Sequence, residues 1–287
     1  MFAARPVGLS PHRGWKWQSL RVKLAVAQFA SQPDACANRE RALRMLGSAA
    51  ATGAELVVLP EAAMYPFNRP KDELAAAAEA LDGPFVTSLG EAATSLGVTA
   101  IAGMFEKVPG DSRVYNTVVA VSQKGLLGRY RKLHLYDALG RKESDSLVAG
   151  AMDGDELLVL AHEDFTVGVV TCYDLRFPEL FRALADKGVT LFAVPAAWVA
   201  GPLKVDHFVT MCRARAIENT AYLASAAQTP PEYCGHSLVV DPMGLQLAGL
   251  GDAEGVAVAE VSYERLRSVR EALPVLTQRR YEVRPKP

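Results

Sequence analysis

Long apolar runs, clustered charge and paired cysteines are all missing from this 287-residue chain. No stretch approaches the roughly 20 consecutive apolar residues that cross a bilayer, so neither a membrane span nor a membrane partner is expected. Basic and acidic residues number 31 and 32, for a net charge of −1. With no basic stripe among them, the electrostatic footprint of a nucleic-acid partner is absent. The four cysteines (Cys36, Cys172, Cys212 and Cys234) form no CxxC pair and show no metal-ligand spacing. That argues against a disulfide framework and against zinc, and for a reducing, cytoplasmic compartment. No Gly/Ser/Pro-rich linker interrupts the middle, so residues 22–277 read as one domain.

What is present is ordinary for a globular α/β chain: 50% hydrophobic and 22% charged residues. Residues 1–21 carry Pro6, Gly8, Pro11 and Gly14 and lack the apolar core of a secretory signal. They read as a flexible extension ahead of the first strand. Residues 278–287 (QRRYEVRPKP, from Gln278) form a C-terminal arm, which composition alone describes as a fraying end.

Between these ends, short β-rich runs alternate with amphipathic stretches. Strands are predicted at KLAVAQF, ELVVLP, TAIAGMF, NTVVAVS, FTVGVVT, TLFAVPA, AYLASAA, HSLVVD and GVAVAEV. Several are almost continuously apolar, which implies burial on both faces. Helices are predicted near residues 38–51, 72–80, 85–95, 178–186, 206–219 and 263–273, the last two showing apolar residues at helical spacing. One internal echo stands out: GAELVVLP at 53–60 matches GVTLFAVP at 188–195. Each has Gly at a helix C-cap and then a buried strand ending in Pro. Two such units about 135 residues apart suggest a pseudo-symmetric layered α/β fold.

Three polar groups stand at the ends of these runs, where open α/β sheets place their ligands. Glu61 closes ELVVLPE, Lys132 closes LLGRYRK and Cys172 closes TVGVVTC. Together they supply the parts of acyl transfer. A thiol is barely ionised near neutrality, so a base must take its proton, and Glu61 can do so if partial burial raises its pKa. A lysine ammonium can hold the oxyanion that forms when sulfur adds to a carbonyl, and the backbone N–H of Tyr173 is a second donor. Taken singly, each residue has a plainer explanation. A lone Cys is usually a small buried hydrophobe, Glu after Pro is a common turn residue, and a basic run is usually a solvated face. His134 could be a base, but it could equally hold a loop by hydrogen bonds.

Considered together, LPEAAMYPF, YRKLHLYD, KESDSLVAG, GVVTCYDLRFPEL and GHSLVVDPMG resemble the nitrilase, or carbon–nitrogen hydrolase, superfamily. They occur in that family's order, from about Val22 to Arg280. The resemblance implies a four-layer α-β-β-α sandwich, and a homodimer or higher homo-oligomer in which the C-terminal arm crosses to the partner. It implies Glu61 as general base, Lys132 as stabiliser of the tetrahedral intermediate and Cys172 as nucleophile. Glu143 of KESDS corresponds to a glutamate that positions substrate, and Trp198 is expected to line the pocket. Asp174 and Arg176 read first as organisers of the turn, through an ion pair. No cofactor and no metal are implied, and the partner is a small-molecule amide. CYDLRFPEL, RARAIENTAYLASAAQ and LPVLTQRR most resemble the branch of ω-amidases and deaminated-glutathione amidases. The first expectation is hydrolysis of 2-oxoglutaramate to 2-oxoglutarate and ammonia, the second a deaminated-glutathione amidase. Aliphatic amidase and nitrilase activities rank lower, and a catalytically silent binding subunit is the reading from another class.

Overall fold

Two sheets carry the chain, in a computed structural model that describes residues 21–154 and 156–284. The first sheet has the order β13-β1-β2-β3-β4-β5. Its strands are β1 (Arg21–Gln28), β2 (Leu56–Val58), β3 (Thr99–Lys107), β4 (Val114–Ser122), β5 (Gly125–Arg131) and β13 (Gly255–Ser262), and the two-residue β6 (Leu147–Val148) pairs with β4. The second has the order β12-β11-β10-β9-β8-β7. It comprises β7 (Leu158–His162), β8 (Phe165–Val169), β9 (Leu191–Ala196), β10 (Tyr222–Ala227), β11 (Leu238–Val240) and β12 (Gln246–Gly249).

Strand direction repeats between the sheets. β1-β2-β3 are parallel and β4 and β5 return antiparallel. β8-β9-β10 are likewise parallel, with β11 and β12 antiparallel. The echo seen in the sequence is this repeat. β2 follows α1 (Ala35–Ala51) through Gly53 at φ 84°, and β9 follows α4 (Pro178–Asp186) through Gly188 at φ 86°. Both positions use the left-handed backbone that glycine adopts without strain.

Alternation along each strand then builds four layers. Leu24, Val26, Val58 and Ile101 of the first sheet pack against Val167, Val169, Ala193 and Tyr222 of the second. On the first sheet's other face, Val57 and Ala100 meet Leu46 of α1 and Leu89 of α3 (Pro84–Leu96), with α2 (Lys71–Ala77) contributing Leu74. On the second sheet's other face, Phe192 and Leu223 meet Phe181 of α4 and Phe208 of α5 (Lys204–Asn219). The fold is therefore α-β-β-α, and each central strand is apolar on both sides because each side is covered. α6 (Tyr263–Ala272) closes the chain against β13.

Every predicted helix and strand is present within a few residues. β5, β7 and β12 were absent from the predicted strands. Each lies at a sheet edge, where one flank is unpaired and the side chains are partly exposed. The expected N-terminal extension lies outside the described residues except for Arg21, which already belongs to β1. Of the C-terminal arm, residues 285–287 also lie outside. Its start is tied to this chain's own α4, where Arg279 pairs with Asp186. Among the described residues no helix is long and apolar enough to cross a membrane.

Candidate active site

Beyond β2 the chain leaves regular pairing but stays zipped to β3. Leu59 donates to Ile101, Gly103 to Pro60 and Ala63 to Gly103 at 2.8–3.0 Å. This passage needs glycine at 103, since a Cβ there would fall 2.5 Å from Glu61 Cα and 2.6 Å from Ala62 N. Ala62 adopts φ 52°, which turns the chain immediately after Glu61. The Glu61 side chain is fully buried, beyond the partial burial anticipated from sequence. Its Oε1 accepts from Asn116 Nδ2 (2.7 Å) and Lys132 Nζ (3.1 Å), and its Oε2 accepts from the Ala197 backbone N–H (2.7 Å). Such donors are what an interior carboxylate requires.

Lys132 follows β5, and its own N–H donates to Asn116 O at 2.9 Å. The preceding Arg131 turns to Glu106, while Lys132 enters the interior. Its ammonium lies 3.1 Å from Glu61 and 2.9 Å from Glu143. Burial opposes the charge on this lysine, but Glu143 and Glu61 outweigh it and hold the pKa well above the ordinary lysine value. Glu143 sits in a short 3-10 turn, Glu143–Asp145, and also accepts from the Tyr136 backbone N–H at 2.8 Å. Burial, with Glu61 close by, raises its pKa against the pull of Lys132.

Cys172 opens a 3-10 turn, Cys172–Arg176, just beyond β8. Thr171 and Asp174 cap this turn reciprocally, with Asp174 Oδ2 accepting from the Thr171 N–H at 3.0 Å. Asp174 is wholly buried and also accepts from Tyr130 Oη (2.7 Å), and its Oδ1 lies 2.7 Å from His134 Nδ1. The expected Asp174–Arg176 ion pair is not formed. Tyr130 and His134 saturate the aspartate, and the Arg176 guanidinium lies 5.0 Å over the Trp198 ring instead. His134 stacks on Phe177 at 3.6 Å, so it holds the turn and does not face the thiol as a base. Cys172 itself has φ 45°, an uncommon left-handed backbone for a residue with a Cβ, of the kind that gathers at functional sites. Burial first, then the neighbouring Glu61, push its thiol pKa well above the ordinary value, with Lys132 acting in the opposite sense.

Glu61, Lys132, Glu143 and Cys172 are thus brought together from four separate segments. Tyr173 and Trp198 line the same pocket, as do Arg176 and Lys204. Tyr173 is the second residue of its turn, a position whose N–H has no acceptor inside the turn. The space beside the thiol is about 20 Å³, roughly one water molecule. Past Glu143, Tyr136, Ala197 and Val199 it adjoins a cavity of about 200 Å³ reaching Tyr233 and Arg141. Sequence reasoning missed Asn116, the Ala197 N–H and Lys204. Asn116, a buried amide in the largely apolar strand β4, was a usable signal; the other two carry no local mark.

A four-layer sandwich that buries a carboxylate, a lysine and a thiol together at its strand ends defines a hydrolase. The particular family emerges from comparison: the chain belongs to the carbon–nitrogen hydrolase family, whose pattern matches residues 23–271. It is thus a hydrolase of carbon–nitrogen bonds other than peptide bonds. It is 37% identical to the deaminated glutathione amidase of Escherichia coli O157:H7, over 90% of this chain and 97% of that protein. To omega-amidase NIT2 of Xenopus tropicalis it is 32% identical, covering 92% and 96%. The crystal structure of Saccharomyces cerevisiae Nit3, a member of branch 10 of the nitrilase superfamily, superposes with a TM-score of 0.81 at 28% identity, covering 94% of this chain and all of that one.

Proposed function

We propose that this enzyme hydrolyses the amide of a short α-keto acid, with 2-oxoglutaramate giving 2-oxoglutarate and ammonia as the reaction. The observation that carries the chemistry is a fully buried Glu61 carboxylate, bonded to Lys132 and close enough to the Cys172 thiol to raise its pKa. Because the thiol pKa is raised, the sulfur is protonated at rest and reacts only as its proton passes to Glu61. Sulfur adds to the amide carbon, and the oxyanion is held by the Lys132 ammonium and the Tyr173 N–H. Glu61 returns the proton to the leaving nitrogen, ammonia departs and a thioester remains. Water, deprotonated by Glu61, then adds to the thioester and expels the thiol, completing one amide plus one water to one acid plus ammonia. Glu143 acts by holding Lys132 and the Tyr136 backbone in place.

The acyl half is read from Arg176, whose guanidinium faces the thiol's pocket and suits a carboxylate. A second reading, a deaminated-glutathione amidase, has the 200 Å³ cavity beyond Glu143 in its favour, since a peptide extension on the leaving amine needs that room. The names of the two relatives agree with either reading. A cytoplasmic homodimer is part of the proposal; Ile217, Met243 and Leu245, exposed on α5 and the β11–β12 turn, offer an apolar face for pairing. Mass in solution by sedimentation tests the dimer. The activity test is ammonia release from 2-oxoglutaramate, glutamine, a simple aliphatic amide and a nitrile, with deaminated glutathione followed by its keto-acid product. A clear preference for glutamine, the nitrile or the aliphatic amide over both keto-amides refutes the substrate assignment.

A further inference from the structure

Lys204 is a cation in an unusual place. It opens α5, is only 8% exposed, and shares the pocket of Cys172. Its ammonium donates to Tyr136 Oη at 3.0 Å and lies over the rings of Tyr136 (5.1 Å) and Trp198 (5.7 Å). The Trp198 indole is fixed in turn by donating to the Lys204 carbonyl at 3.0 Å. Among the described residues no carboxylate stands within ion-pair distance of this ammonium. The nearby Glu143 is committed to Lys132 and the Tyr136 N–H. A buried ammonium with three protons to donate and one neutral acceptor is under-compensated, and ring faces replace only part of its lost hydration. Arg176, over the same indole at 5.0 Å, adds a second positive charge, with no carboxylate paired to it among the described residues. The site therefore holds an excess of positive charge directed at the space beside the nucleophile.

We propose that Lys204 is the specificity-determining residue for the acyl half of the substrate, its ammonium forming with Arg176 a seat for a carboxylate. This role rests on the keto-acid reading of the site and gives it a residue. The arriving carboxylate supplies the counter-ion the protein withholds, and a neutral acyl chain leaves the ammonium buried and unpaired. Discrimination then comes from the penalty on the wrong substrate as much as from attraction to the right one. Since Lys204 and Cys172 line one small pocket, the chain between carboxylate and amide has to be short.

The test crosses a change in the residue with a change in the substrate. The parent, Lys204→Met and Lys204→Arg are assayed on 2-oxoglutaramate and on its α-methyl ester, which keeps the amide and removes the negative charge. A hydrogen bond between charged groups is worth a factor of about 10 to 100. In the parent, esterification should cost about that factor in kcat/KM, mostly through KM. In Lys204→Met the ester penalty should shrink to a few-fold, and Lys204→Arg should restore much of it. A purely structural role for Lys204 would lower both substrates equally and leave the penalty intact, which overturns the inference. So does a parent enzyme that turns over acid and ester alike. Should Lys204→Met fail to fold, Lys204→Gln takes its place in the cycle. If the parent releases no ammonia from 2-oxoglutaramate, the functional reading fails separately. The Lys204 inference then stands if the best amide found carries an acyl carboxylate and falls if that amide is neutral.

Discussion

Replacing Glu61 by glutamine removes one charge and almost no volume, so the cost is set by the donors around the side chain. The carboxylate accepts from three of them: Asn116 Nδ2, Lys132 Nζ and the Ala197 N–H. Glutamine keeps one accepting oxygen. If that oxygen faces Asn116 and Lys132, the new NH2 meets the Ala197 N–H donor to donor; if it faces Ala197, the NH2 meets the other two. Either way at least one buried donor is left unpaired, at about 1–3 kcal/mol. Lys132 also loses one of its two carboxylates inside the protein, so the total destabilisation is expected near 2–4 kcal/mol. That corresponds to a fall in Tm of about 5–15 °C. Catalysis should suffer more, because burial, the largest cause of the raised thiol pKa, persists in the variant while the group that takes the proton is gone. Loss of a general base of this kind costs about 10²–10⁴ in rate. Single-turnover ammonia release, with intact-protein mass to detect the thioester, separates acylation from later steps. A folded Glu61→Gln enzyme that forms the thioester within tenfold of the parental rate would refute the assignment of Glu61 as the base.

The same contacts set the outcome of other perturbations. Gly103→Ala places a methyl 2.5 Å from Glu61 Cα, against backbone that cannot swing aside, so it should lower kcat by at least about tenfold and destabilise the fold by about 1–3 kcal/mol; parental activity and melting in this variant would show that the close approach is not required. Asp174→Asn removes the buried charge on which Tyr130, His134 and the Thr171 N–H converge, and should cost about 3–5 kcal/mol in denaturant unfolding while loosening the turn of Cys172. Cys172, Tyr130 and Lys132 all have folded pKa values above their ordinary ones. Each therefore keeps its proton in the folded state after the unfolded chain has released it, and stability should fall as pH rises past about 8.5 for the thiol and about 10 for the others. Urea midpoints at pH 7.5 and 10.5 check the sign; an unchanged or higher midpoint at pH 10.5 would contradict it.

How far the sequence reached depended on whether a signal was local. Buried strands such as ELVVLP and TLFAVPA declared themselves because both faces are covered, and Gly53 and Gly188 marked the turns before them. The edge strands β5, β7 and β12 were overlooked because an edge mixes polar and apolar residues as a loop does. For the site, Glu61 and Cys172 were legible as polar residues closing apolar runs and Lys132 as the end of LLGRYRK, and the family resemblance reached Glu143. His134 and Asp174 were also visible in sequence, but their partnership spans 40 residues and the pairing first assigned to Asp174 went to the wrong side chain.

The sequence by itself determined the element order, the repeat of two half-sandwiches and the three residues proposed to carry the chemistry. Each of these depends on spacing within a few residues of chain. Only the tertiary structure decided what surrounds them. The Glu61 carboxylate is fixed by a backbone N–H 136 residues away. Lys132 remains charged because two carboxylates meet it in the interior. Lys204, an ordinary lysine at the start of a helix when read in sequence, becomes a buried cation beside the nucleophile. Burial and charge balance arise where distant segments pack, and no window of sequence contains them.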